Sequence, residues 1–183
     1  MKEIFGLIGG VVAVSVLLHY AYNVIRRKAE AAGIATWLMW TALDVLLLVT
    51  TWQAGKPVWL PLGWTVGASL VTISLFRDGK WEWKWQETLS AVCALIATIV
   101  WRTQGAEIGV LAGTLAMTCA GIPLLIDMVK KPIGSTFHVW FLTCVACVFT
   151  LLGSDWSLTA IFLPVGSIIY NGTLAVLVLR PIK

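Results

Sequence analysis

Seven apolar stretches follow one another along this chain, and their lengths leave few folds open. Three lie near the start, about Ile4 to Val24, Thr36 to Trp52 and Trp59 to Phe76, and three near the end, about Ile108 to Val129, Thr136 to Leu152 and Leu158 to Leu179. The seventh, Gln86 to Trp101, stands between the two sets. Crossing about 30 Å of hydrocarbon as a helix takes about 17 to 25 residues, and a helix pairs its own backbone N–H and C=O groups where water is absent. An all-α integral membrane protein with seven transmembrane helices is expected. Composition agrees, since 59% of the residues are apolar and only 12% charged, about half the charge of a soluble domain. The first stretch is too long for a signal h-region and lacks a small-residue cleavage site before a soluble domain, so it reads as a retained span.

The net charge of +4 does not point to nucleic acid, because of where the charges fall. With seven spans and the N-terminus outside, the inner loops hold Arg26, Arg27, Lys28, Arg77, Lys80, Lys84, Lys130, Lys131, Arg180 and Lys183, and the outer side holds only Lys2, Lys56 and Arg102. That bias is the positive-inside pattern for N-out, C-in. Indoles follow the same two levels. Trp81, Trp83 and Trp85 alternate with charges in one loop, while Trp52, Trp59, Trp101 and Trp156 stand at the opposite ends of their spans, as two interfacial belts would require.

The two sets of three stretches resemble each other. Leu60, Pro61, Leu62 and Gly63 recur as Leu163, Pro164, Val165 and Gly166, with Arg77 and Arg180 at equal spacing beyond. Asn23, Arg26 and Arg27 match Asp127, Lys130 and Lys131, and Thr36, Trp37 and Trp40 match Thr136, Phe137 and Trp140. A unit of three crossings starts on one side of a membrane and ends on the other. A second copy in the same orientation therefore needs one extra crossing, which Gln86 to Trp101 supplies. The expected division is a first three-helix repeat over 1–77, a cytoplasmic loop and inverter helix over 78–104, and a second repeat over 105–183.

This 3+1+3 order of parallel repeats resembles the PQ-loop and SWEET-type transporter superfamily over essentially the whole chain. The local signature is similar too: a span ending in a basic cluster, a short loop, then a Ser/Thr and aromatic start, as in Ser135, Thr136, Phe137 and Trp140. The chain is a divergent member on this view. His19 and Tyr20, then Pro123 and Leu124, stand where the family's Pro-Gln pairs would fall, and Leu62 and Val165 stand where sugar carriers often have an asparagine. The resemblance implies alternating access between two three-helix bundles.

Few side chains in the spans can carry chemistry. Asp44 lies near the middle of span two, where a carboxylate costs about 2.5 to 3.5 kcal/mol on insertion scales. It suits proton or cation coupling, or binding of a substrate amine; alternatively it is neutral and hydrogen-bonded to a neighbouring helix. Tyr170 and Asn171 sit inside the last span, suited to substrate contact or to interhelical bonding. Trp40 and Trp140 occupy equivalent places, one turn into spans two and six, and paired indoles stack on rings or cations or anchor at the interface. His19 and His138, the only histidines, are further proton-coupling candidates, with packing as the other role. Pro61, Pro123 and Pro164 each lack an N–H and suit hinges or static kinks. Cys144 and Cys147 form C-x-x-C inside a span and read as packing residues, not a redox pair. Two separate histidines without matching cysteine spacing give no metal site, and no cofactor is expected.

The function expected is membrane transport of a small polar solute, a sugar, an amino acid or a vitamin-like molecule, with Asp44 offering a route to proton linkage. The alternative is a non-transporting membrane receptor or assembly protein on the same fold. No nucleophile with a base, metal cluster or phosphate loop marks an enzyme, and Leu158 to Leu179 has no lysine for retinal. The partners expected are a small-molecule substrate and the lipid bilayer, with no nucleic acid; the fold also allows a homo-oligomer. The expected location is multi-pass in a plasma (inner) membrane.

Overall fold

The computed structural model describes residues 1–26, 33–76, 81–130 and 136–180. Arg27, Lys28, Arg77, Lys80, Lys131, Ser135 and Lys183, used above for charge bias and signature, lie outside the described residues. Within them the chain is all-helical: α1 Lys2–Ile25, α2 Ile34–Gln53, α3 Trp59–Leu75, α4 Trp85–Gln104, α5 Ala106–Lys130, α6 Phe137–Gly153 and α7 Leu158–Val178. Turn chemistry separates them. Gly55 follows α2 at φ 67° and Gly105 joins α4 to α5 at φ 90°, a backbone region open to glycine and strained for most other residues.

The seven helices are not equally suited to crossing a bilayer. Four of them, α1, α2, α5 and α7, are long and apolar enough to do so by length and composition. Helices α3 and α6 are apolar but have 17 residues each, or about 26 Å at 1.5 Å per residue. Helix α4 has 20 residues, but Gln86 and Glu87 in its first turn and Arg102 in its last shorten its apolar stretch. The outer surface is apolar as well: Ile169 and Val176 are each 66% exposed, which suits hydrocarbon and not water. These features are consistent with a helical membrane protein.

Packing follows a regular plan. Helices α1 and α2 both pack on α3, and α5 and α6 both pack on α7. Across the middle, α1 meets α6 and α2 meets α5; α3 also touches α6, and α4 lies against α5 and α2. One end is drawn tight. A Cβ on Gly10 would come 2.5 Å from the Trp59 carbonyl oxygen, and one on Gly63 would come 2.5 Å from that of Gly10. One on Gly153 would come 2.6 Å from the Lys2 carbonyl oxygen. Here α1 and α3 begin and α6 ends, and the three meet backbone to backbone because side chains are missing. Lys56 Nζ reaches Asp155 Oδ2 at 2.9 Å at the same end, tying the turn after α2 to the turn after α6.

The other end is held by polar ties between helix termini. Thr36 Oγ1 donates to Glu87 Oε1 at 2.5 Å, and the Lys84 backbone N–H donates to Glu87 Oε2 at 2.6 Å. Glu87 is thus a buried carboxylate that caps the start of α4 and fastens it to the start of α2. Arg180 donates to the carbonyl of Val129 at 2.7 Å, satisfying a free carbonyl at the end of α5.

Candidate functional site

A cavity of about 120 Å³ lies between the helices, at mid-height and toward the end opposite the glycine contacts. Every helix except α4 lines it. The α2 contribution, Trp37, Trp40 and Asp44, has the spacing that places side chains on one helical face. So has that of α7, Ser167, Tyr170 and Asn171, below Leu163. Helix α5 adds Thr114, Met117, Thr118 and Gly121, α6 adds Val139, Trp140 and Thr143, α1 adds Leu17 and Tyr20, and α3 adds Trp64 and Ala68. The five residues expected to bind solute, Trp40, Asp44, Trp140, Tyr170 and Asn171, therefore line one cavity, though they come from three helices.

Asp44 is 6% exposed and forms no hydrogen bond or ion pair among the described residues. A carboxyl set among apolar groups without a protein partner is costly, and this one lines the cavity. Around it the aromatic rings are contiguous. Tyr20 and Trp37 have centroids 5.6 Å apart, and Trp37 and Trp40 meet edge to face at 5.2 Å.

The two equivalent tryptophans differ in their polar ends. Trp140 Nε1 donates to Thr136 Oγ1 at 2.9 Å. At the matching place Thr36 gives its hydroxyl proton to Glu87, and Trp40 Nε1 is buried without a partner, as is Trp37 Nε1. Asn171 Nδ2 donates to the Ser167 carbonyl of its own helix at 2.8 Å, so it does not bridge helices through that bond. Tyr170 does bridge, donating its hydroxyl to the Gly121 carbonyl on α5 at 2.9 Å.

The remaining candidates lie elsewhere. His19 and His138 do not line the cavity, yet their rings meet across α1 and α6 at 5.3 Å, a pairing that their sequence separation conceals. Asn23 Nδ2 donates to His19 Nε2 at 2.9 Å, and His138 Nε2 is buried without a partner. Pro61 and Pro164 are fully buried and line a small cavity of about 20 Å³ at the glycine end. Pro61 occupies the first turn of α3, where the missing N–H interrupts no helical bond; Pro123 and Pro164 lie inside α5 and α7. Pro123 borders a more polar cavity of about 190 Å³ with Thr36, Glu87 and Asp127, and Trp40 is the wall shared with the central one. Cys144 and Cys147 are free thiols, Cys147 fully buried, as packing residues would be. Among the described residues no group of three or more His, Cys, Asp or Glu could hold a metal ion.

Several lining residues were not singled out by sequence: Tyr20, Trp37 and Trp64 look like ordinary apolar span residues. The signal for Trp37 was available, three positions before Trp40 and seven before Asp44. Comparison with known protein families, with curated proteins and with solved structures finds no match to this chain.

Proposed function

We propose that this chain is a membrane transporter that moves a small polar solute by alternating access between two parallel three-helix units, α1–α3 and α5–α7. Helix α4 is the inverter, the N-terminus is outside and the C-terminus inside. One observation carries this: the cavity between the two units, lined by all six of their helices, holds a buried carboxyl with no partner among the described residues. A group so costly to bury suits a ligand that satisfies it.

Three features support the mechanism. The neighbour relations of α1–α3 are repeated by α5–α7, as expected of two copies of one unit. The glycine contacts and the Lys56–Asp155 ion pair close one end while the cavity lies toward the other, an asymmetry natural to one state of an alternating cycle. With the N-terminus outside, the closed end is the outer one. Pro123 and Pro164 each remove one helical hydrogen bond in the second unit, giving it points at which to flex. The resemblance to PQ-loop and SWEET-type proteins fits the same arrangement, in a plasma (inner) membrane.

The test is solute uptake into liposomes containing the purified protein, with sugars, amino acids and small amines offered in turn. Saturable uptake of one class is expected. Binding of a solute without any flux would overturn transport and leave a receptor. If Asp44 couples protons, Asp44→Asn removes the pH-driven part of uptake while the protein stays folded; unchanged pH dependence would reject that role.

A further inference from the structure

We propose that the ligand of the central cavity is a small organic ammonium ion, N-alkylated and without a carboxylate of its own. This deepens the transport reading and rests on it for the cavity being a solute site. Among the described residues Asp44 is the one carboxyl lining the cavity, and no Lys, Arg or His joins it there. A monocation matches that solitary carboxyl, which ionises to pair with it, whereas a zwitterion or an anion would bring a carboxylate with no positive side chain to meet it.

The hydrogen bonds of the wall point the same way. Thr114, Thr118 and Thr143 give their hydroxyl protons to the carbonyls of Val110, Thr114 and Val139 at 2.8, 2.9 and 2.8 Å. Tyr170 gives its proton to Gly121 and Asn171 one of its amide protons to Ser167. Their oxygens keep lone pairs, so the wall offers several acceptors, beside two unpartnered donors, Trp37 Nε1 and Trp40 Nε1.

The rest of the wall supplies ring faces. Tyr20, Trp37, Trp40, Trp64, Trp140 and Tyr170 all line the cavity. Aromatic faces attract cations, and grouped rings with a carboxylate suit an alkylated ammonium in particular, because its methyl groups bury against the rings and ask for no hydrogen bonds. Size sets the upper limit. At roughly 10 to 15 Å³ for each water-sized particle, a cavity of about 120 Å³ takes a ligand of about ten non-hydrogen atoms.

The experiment measures binding of four probes to the purified full chain in detergent, by calorimetry and thermal shift: choline, tetramethylammonium, the neutral choline isostere 3,3-dimethylbutan-1-ol, and glycine betaine. Choline and tetramethylammonium should bind; the isostere should not, and the betaine should bind much more weakly. Asp44→Asn should weaken choline by about 10- to 100-fold. Trp40→Leu should weaken it about 3- to 30-fold while Trp40→Phe retains more of it. Equal binding of the isostere, or no choline binding at saturating concentration to the wild-type chain, would overturn the proposal, and neither result needs a variant that folds. If choline fails while another solute crosses liposomes, the ammonium class falls and transport survives. If choline binds through Asp44 but never crosses, the class stands and transport falls.

Discussion

At the end where α1 begins, three helices meet backbone to backbone across Gly10, Gly63 and Gly153, whereas toward the end where α2 and α6 begin, indoles stand between the helices and a cavity remains. Each end also carries a few polar ties, Lys56 with Asp155 at the first and Thr36 with Glu87 at the second, so polarity does not set them apart. The difference is side-chain volume: glycine lets helix axes approach until only a small void of about 20 Å³ is left, and tryptophan holds them apart and leaves ring faces exposed to whatever enters. Tight closure and ligand capacity thus occupy different levels of the same bundle, and substitutions should separate them.

The largest effect is expected from filling the closed end. Gly63→Ala puts a Cβ against the Gly10 carbonyl and should cost about 1 to 3 kcal/mol, read as a fall in melting temperature. The control is its repeat counterpart. A Cβ on Gly166 meets only Thr114 Cγ2, at 3.5 Å, so Gly166→Ala should stay within about 0.5 kcal/mol of the parent. Equal losses at the two sites would break the comparison.

At the cavity the direction reverses. Asp44→Leu removes a buried, unpartnered carboxyl and fills space, so it should raise stability by about 1 to 2 kcal/mol while abolishing ligand binding. Loss of both stability and binding would mean that Asp44 holds the fold. A smaller effect is expected from the tie between α2 and α4. Thr36→Val leaves Glu87 Oε1 without its donor in a buried place, a loss of about 1 kcal/mol, with the closed end unaffected.

The smallest effect concerns the ion pair. Hydrogen bonds from Lys56 and Ser157 hold the Asp155 carboxyl below its ordinary range. A depressed carboxyl contributes stability that is fully present above its unfolded value, near pH 4, and is lost as pH falls below it. Asp155→Asn should therefore flatten the melting temperature against pH only on the acid side of about pH 4, and high salt should shrink the difference because the pair is partly exposed. A change confined to neutral pH would show that Asp155 acts through something other than Lys56.

Much of this molecule was legible in advance, for physical reasons. Apolar runs of span length can satisfy their backbone only as helices, so the seven helices start and end close to where the runs do. Asp44 stood out because a carboxylate among apolar residues is costly, and Asn171 for a similar cause. Trp64 and Tyr20 did not, because an aromatic in an apolar span looks the same whether it faces lipid, a neighbour or a cavity. Glu87 did not stand out, although it follows Lys84 by three positions, the spacing at which a side chain can cap a helix. The histidines were read as unrelated because they stand on separate spans.

The sequence by itself determined that this chain is helical, where its helices lie, and which few polar groups are set among apolar ones, since these follow from hydrogen bonding and hydropathy along one segment at a time. Only the tertiary structure decided which faces meet: that glycines from three helices coincide at one end, that His19 touches His138, and that Asp44 has six aromatic rings around its cavity and no partner among the described residues. Helix rotation and pairing are set by packing between segments far apart in the chain, and a single segment carries no record of its neighbour.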